Sequence, residues 1–255
     1  MALAAFHDLK DRSVFITGGA SGIGAAITEG FVAQGARVAF ADLLDGSHLS
    51  DEIAARQGAR PLSFDCDVTD TAALRAALAE AAAAQGPVSV LVNLAGYDDR
   101  HKTLDVTPDY WRMMLARNLD HVFFASQAVI PGMRAAGGGV IVNFSSISYM
   151  MGMAEYPAYT AAKAAINALS RGMAREFGAD NIRVNAIHPG WVLTPRQMSM
   201  WVTPVALAEF MKRQSLKQHL LPEDMVGPVL FLASEASRMM TGQALVVDGG
   251  VVATG

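Results

Sequence analysis

From residue 12 to residue 248 the hydrophobic positions keep changing period. Short continuous apolar runs alternate with longer stretches in which apolar residues recur every three or four positions. The runs predict buried strands at 12–17, 36–41, 60–64, 88–93, 139–142, 182–187 and 244–248. The periodic stretches predict helices at 25–34, 48–57, 69–85, 108 to about 136, 156–177, 204–214 and 222 to about 234. Punctuation agrees with this division. Gly35 and Gly58 follow two of the helices, Pro108 opens another, and 137–139 is a triple-glycine turn. The alanine tract from Ala76 to Ala84 is helix by propensity. Strands alternating with helices from end to end predict an α/β fold, a parallel sheet covered on both faces. No linker, composition shift or repeat divides the chain, so 1–255 reads as a single domain. Its periodicity weakens only at 190–221, which reads as a mobile substrate segment containing a short helix.

Composition narrows the function. Just over half of the 255 residues are hydrophobic, enough for a full core. The net charge is −4 and no basic run occurs, so a nucleic-acid partner is not expected. Cys66 is the only cysteine and reads as a small buried hydrophobe; no internal disulfide or cysteine zinc site can form. That suits a reducing compartment, and a cytoplasmic location is expected. The stretch from Met1 to Asp8 lacks the pattern of a signal peptide, and no apolar run is long enough for a membrane span. No His/Asp/Glu cluster has ligand spacing, so no metal is expected.

Two stretches carry candidate chemistry. Gly18, Ser21, Gly22, Ile23 and Gly24 lie in a glycine loop between the first strand and first helix. Such a loop lets backbone approach a pyrophosphate, and the helix N-terminus offers amide donors. Asp42 stands 18 residues beyond Gly24, at the end of the second strand. A carboxylate there binds the ribose 2′-hydroxyl of NAD and repels the 2′-phosphate of NADP, so NAD is the expected cofactor. The second stretch holds Ser146, Tyr159 and Lys163. Four residues apart on a helix, Tyr159 and Lys163 share a face. An ammonium beside a phenol lowers its pKa and suits it to take a proton from an alcohol near neutral pH. Ser146 would hold the reacting oxygen.

The joint pattern resembles the classical short-chain dehydrogenase/reductase family. Thr17-Gly-x-x-x-Gly-Ile-Gly24, Asp67-Val68, Asn93-x-Ala-Gly96, Asn118, Ser146, Tyr159-x-x-x-Lys163 and Pro189-Gly190 fall in that family's order across nearly the whole chain. The resemblance implies a single Rossmann-like doubly wound domain with a seven-stranded parallel sheet. It implies Tyr159 as acid/base, Lys163 on the nicotinamide ribose, Ser146 on the substrate oxygen and Asn118 in a water-bearing proton relay. It implies Asp67 and Val68 at the adenine, Asn93, Ala95 and Gly96 on the adenosine side, and Pro189, Gly190, Val192 and Thr194 at the nicotinamide end. It also implies a homotetramer, and Val122, Phe123, Phe124, Ile166 and Leu169 supply apolar residues on more than one helix face. Ser145 and Tyr156 are neighbours of the catalytic types that miss the family spacing. Leu94 departs from the family, which usually has a second asparagine there.

For the substrate, the charged run Tyr97-Asp98-Asp99-Arg100-His101-Lys102 is similar to the corresponding loop of the family's aldose dehydrogenases, as are the pieces around Trp191, Gln197 and Trp201. Asp98, Ser148, Glu155, Trp191 and Gln197 would serve the hydroxyls and ring face of a sugar or related polyol, with oxidation of an aldose at C1 giving a lactone. Met150, Met151, Met153, Met198 and Met200 argue instead for a more hydrophobic secondary alcohol or ketone. A third possibility is a non-catalytic nucleotide-binding regulator of the same fold, which the full set Asn118, Ser146, Tyr159 and Lys163 disfavours. His188 reads as a packed strand-end histidine.

Overall fold

A computed structural model of the chain describes residues 4–253; Met1–Leu3 of the N-terminal stretch and residues 254–255 lie outside the described residues. Seven strands form one sheet: β1 (Ser13–Thr17), β2 (Arg37–Asp42), β3 (Leu62–Asp65), β4 (Val90–Asn93), β5 (Gly139–Phe144), β6 (Ile182–Pro189) and β7 (Ala244–Val247). The spatial order is β3-β2-β1-β4-β5-β6-β7, every pair parallel. The helices are α1 (Gly22–Ala33), α2 (Ser47–Gln57), α3 (Thr71–Gln85), α4 (Pro108–Leu115), α5 (His121–Ala135), α6 (Pro157–Phe177), α7 (Pro195–Met200), α8 (Pro204–Arg213) and α9 (Val226–Ala233).

Continuous apolar strands are what a sheet buried on both faces requires. Val14 and Ile16 of β1, Val90 and Val92 of β4, and Val140, Val142 and Phe144 of β5 face a core shared with Ile27 and Phe31 of α1 and Val229 and Leu230 of α9. The alternate residues Phe15, Leu91 and Ile141 face a second core with Leu74 and Leu78 of α3, Val129 and Ile130 of α5 and Met173 of α6. The strand order reverses direction between β1 and β4, and there the loops at the carboxyl ends of the strands part to form a cleft.

Three local features differ from the pattern in the sequence. The helix expected from Pro108 onward is divided by a π turn at Ala116–Asp120, which carries Asn118. The segment at 190–221 contains two helices, α7 and α8, rather than one, and its ends are pinned together by a parallel bridge between Val192 and Leu220. Of the apolar residues expected at a subunit interface, Val122 and Ile166 are buried inside this chain, and only Phe123 is exposed. Their hydrophobicity is spent on the intramolecular core.

Candidate active site

The glycine loop begins where β1 ends. Gly18 has φ +76°, and its amide donates to the Ala41 backbone carbonyl at 2.7 Å. A Cβ on Gly18 would lie 2.8 Å from Ala95 Cα, and one on Gly24 would lie 1.8 Å from the Gly18 carbonyl oxygen. Only glycine lets loop and helix close so tightly. Ser21 caps α1 without a side-chain hydrogen bond, which leaves the first-turn amides directed at the cleft. Gly18, Ser21, Gly22 and Ile23 line that cleft. Gly24 is not in that wall; it lets the helix pack closely on the loop.

Asp42 lies at the end of β2 and lines the cleft. Its Oδ2 accepts from the Ala20 amide at 2.9 Å and its Oδ1 from the Leu44 amide at 3.0 Å. The carboxylate is thereby aimed by backbone, and its remaining lone pairs suit a ribose hydroxyl. Asp67 and Val68 form the next part of the wall. Asp67 Oδ1 accepts from the amide and hydroxyl of Thr69 at 2.9 and 2.8 Å, and these bonds hold its carboxyl below the usual carboxylate range.

Thr17 Oγ1 accepts from the amides of Leu94 and Ala95 at 3.1 and 3.2 Å, so the end of β1 steers the loop that follows β4. Ala95 and Gly96 line the cleft. Asn93 does not. Its Nδ2 donates to Asn143 Oδ1 at 2.9 Å and to Ser126 Oγ at 3.2 Å, inside the second core. The strand's alternation turns its side chain away from the cleft, and the bond to Asn143 ties β4 to β5. Leu94, which stands where the family usually has asparagine, packs on the first core.

The chemistry gathers on α6 and the end of β5. Lys163 is 3% exposed and its Nζ donates to the Phe144 carbonyl at 2.9 Å. That Nζ lies 5.6 Å from the centre of the Tyr159 ring. Asn118 is fully buried; its Oδ1 accepts from the Tyr97 amide at 2.9 Å and its Nδ2 donates to the carbonyls of Tyr97 and Met114 at 3.1 and 3.0 Å. The π turn explains that orientation, because it frees the Met114 carbonyl from the helical ladder for the side chain. A Cβ on Gly96 would stand 3.2 Å from both Asn118 Oδ1 and Lys163 Nζ. The two polar atoms therefore flank one small space that glycine keeps open. Ser146 Oγ accepts from the Ser148 amide at 3.1 Å and, with Tyr159, lines the cleft. Ser145, by contrast, is buried and donates to the Lys163 carbonyl at 2.7 Å, a bond that seats α6 on β5.

The electrostatics differ from the expectation. Burial pushes the Tyr159 phenol above its usual range, Asp98 adds to the rise, and the bond to Ser146 opposes both. Burial also lowers Lys163, to about 8. Burial dominates the tyrosine, and of the groups that shift it only Ser146 acts to lower it. His188 is buried against Tyr149, ring centres 5.7 Å apart, and burial lowers it to about 4, which keeps it neutral.

Beyond Tyr159 the cleft is walled by the loop after β4 and by α7. Gln197 joins two expected residues: its Nε2 donates to Asp98 Oδ2 at 2.8 Å and its Oε1 accepts from Trp191 Nε1 at 2.9 Å. Arg196 pairs with Asp98 at 3.5 Å. Thr194 caps α7 by accepting from the Gln197 amide at 3.2 Å, and with Pro189, Gly190 and Val192 it lines the cleft. Ser148 lines it too, its hydroxyl buried without a partner. Glu155 lies outside: it is exposed at a loop tip with φ +64°, and only its backbone carbonyl acts, accepting from the His101 amide at 2.8 Å. Met151 and Met153 face the cleft, whereas Met150, Met198 and Met200 are not in its wall. Arg100, Tyr156 and Arg196 join the wall without having been singled out as site residues; in the sequence Arg100 lies in the charged run, Tyr156 three residues before Tyr159 and Arg196 next to Gln197. The cleft holds about 890 Å³, room for a dinucleotide's reactive half and a small substrate.

A family model described as "Enoyl-(Acyl carrier protein) reductase" matches residues 18–252. The solved structure of a short-chain type dehydrogenase/reductase from Mycobacterium marinum superposes with a TM-score of 0.87 at 30% identity, covering 98% of each chain. The chain belongs to the short-chain dehydrogenase/reductase family. This dehydrogenase acts on CH–OH groups and belongs to a class that uses nicotinamide cofactors. It is 50% identical over 248 residues to a protein of Rhizobium meliloti (strain 1021) named "Probable galactose dehydrogenase", covering 96% of this chain and 97% of that one. It is 43% identical over 251 residues to D-xylose 1-dehydrogenase of Caulobacter vibrioides (strain NA1000 / CB15N), covering 98% and 99%. The open amides of α1 and the glycine cradle beside them fit the anionic pyrophosphate of a dinucleotide. Among the described residues no helix is long and apolar enough to cross a membrane, and no cluster of His, Cys, Asp or Glu is arranged to hold a metal ion.

Proposed function

We propose that this enzyme is an NAD-dependent aldose dehydrogenase that oxidises its sugar at C1 to the lactone, with Tyr159 as the proton acceptor. The observation that carries the reading is the likeness to two sugar dehydrogenases over nearly the full chain, joined to a substrate wall that sets the polar groups Asp98, Gln197, Arg100 and Arg196 beside Met151 and Met153. Only two of the five methionines that favoured a hydrophobic alcohol reach the cleft.

Bound in the cleft, nicotinamide supplies the acceptor for the hydride that leaves the substrate carbon. The residues of the chain do the rest. Ser146 and Tyr159 hold the C1 hydroxyl, and Tyr159 Oη takes its proton as the carbon–hydrogen bond breaks. The space between Asn118 Oδ1 and Lys163 Nζ suits a water that carries the proton onward from the lysine. Asp42 selects NAD: it offers the ribose a carboxylate, and with Asp67 nearby it repels a 2′-phosphate. The buried lone thiol of Cys66 is in keeping with a reducing, cytoplasmic setting.

The reading is tested by following nicotinamide absorbance with NAD and with NADP over pentoses, hexoses, sugar alcohols and hydrophobic secondary alcohols. Turnover of an aldose with NAD as the better coenzyme is expected. Turnover confined to hydrophobic alcohols would reject the sugar, and an equal or greater rate with NADP would reject the role of Asp42.

A further inference from the structure

Arg100 occupies the substrate wall one side chain beyond Tyr159. The Tyr156 ring lies 5.8 Å from the Tyr159 ring, and the Arg100 guanidinium lies 5.3 Å from the Tyr156 ring centre. The same guanidinium covers Trp201 at 4.1 Å, and its Nε donates to Tyr156 Oη at 2.6 Å. Two aromatic rings and one phenol oxygen thus fix the plane of the group. A surface arginine beside two aspartates would be expected to pair with them. Here Asp98 is taken by Gln197 and Arg196, and Asp99 lies by His101 at 3.6 Å. Among the described residues no carboxylate pairs with the Arg100 guanidinium, Asp99 Oδ1 accepting instead from the Arg100 backbone amide at 2.9 Å, and the Nη groups make no hydrogen bond. An immobilised guanidinium with its Nη fork unspent, in a cleft wall, is built to receive two neighbouring oxygens.

We infer that Arg100 is the residue that selects the substrate's distal end, its Nη fork donating to the vicinal hydroxyl pair, C3 and C4, that lies across an aldose ring from the carbon held at Tyr159. The inference rests on the aldose reading above. A neutral diol fits better than a carboxylate or phosphate. Asp98 lines the same wall as Arg100, so an anionic group brought to the fork would also meet a carboxylate. An anionic substrate would be repelled there, while hydroxyl oxygens accept without adding charge. Aldoses differ from one another in how C3 and C4 carry their hydroxyls, so a fixed fork discriminates among them where the chemistry at C1 does not.

The test uses the full chain with saturating NAD, as wild type, Arg100→Lys and Arg100→Met, against the preferred aldose, its 3-deoxy and 4-deoxy analogues and the matching uronic acid. In the wild type, loss of either hydroxyl is expected to lower kcat/KM about ten- to a hundredfold, mainly through KM. In Arg100→Met the parent sugar should fall to the level of its deoxy analogues, which themselves change little, and Arg100→Lys should stand between because a point donor replaces the fork. Unchanged NAD affinity, read by fluorescence quenching, would show the cofactor site intact. If Arg100→Met slows parent and deoxy sugars alike, Arg100 only braces Tyr156 and Trp201, and the inference is overturned. A wild type indifferent to both deoxy changes overturns it without any variant. A wild type that prefers the uronic acid, with the preference lost in Arg100→Met, overturns the neutral diol in favour of a carboxylate. Failure of the aldose reading is separate: no aldose would be turned over at all.

Discussion

At the residue scale, Tyr159 and Lys163 are set by burial more than by each other. The lysine ammonium is nearly removed from solvent, so its folded pKa, about 8, lies below the unfolded value near 10.5. Between those two values the unfolded chain binds more protons than the native one, so this group's contribution to stability rises with pH. Holding Lys163 charged in its buried position costs the native state roughly 3 kcal/mol at neutral pH. In urea denaturation Lys163→Met should therefore gain on the wild type at pH 7 relative to pH 10; a stability difference that does not vary with pH would refute the cause given. Catalysis depends on the neighbouring group. Tyr159→Phe should lower kcat by several orders of magnitude while NAD still binds, and full turnover in that variant would remove Tyr159 from the reaction. Because the native tyrosine is held up by desolvation and must lose its proton to act as a base, sugar oxidation by the wild type is expected to climb into the alkaline range. A rate that falls steadily above neutrality would contradict this.

At the element scale, the site depends on close approaches that a side chain would block. The loop that opens α1 lies so near the helix that a Cβ at Gly24 would meet the Gly18 carbonyl oxygen at 1.8 Å. Backbone cannot yield there as a flexible side chain could. Gly24→Ala is expected to lower the midpoint of thermal unfolding, at about 1–3 kcal/mol for overpacking of this kind, and to weaken NAD binding through the displaced loop. Wild-type stability and affinity in the variant would show that the loop relaxes freely. The π turn between α4 and α5 is the second such element. It costs the helix regular bonds, and in exchange Asn118 can grip both the Tyr97 backbone and the Met114 carbonyl while facing Lys163.

At the scale of the whole molecule, the parallel sheet brings the strands' carboxyl ends to one side, and every cleft-lining motif residue sits there. The outer faces of α5 and α6 are the expected contacts between subunits. Phe123 is the exposed apolar residue of that face, packed edge-on against Phe124 at 5.3 Å, while Arg75 covers Phe124 at 5.7 Å. A homotetramer is the expected assembly. Light scattering at micromolar concentration should find it, and Phe123→Asp should shift it toward smaller species; a monomeric wild type would rule it out.

The amino-acid sequence alone determined the order and type of the strands and principal helices, because buried strands and two-sided helices leave strong periodic signals. It also pointed to Ser146, Tyr159, Lys163, Asp42 and the glycine loop, which line one cleft, Ser146 through the family's spacing and the others through helix pitch and strand ends. Tertiary structure decided what periodicity does not carry. It turned Asn93 inward and Glu155 outward, since a side chain's facing depends on strand register and loop path. It raised Tyr159 instead of lowering it, since desolvation is a property of the packed interior. And it left the Arg100 guanidinium unpaired with the aspartates beside it in the chain, because Gln197 and Arg196, about a hundred residues further on, hold the Asp98 carboxylate.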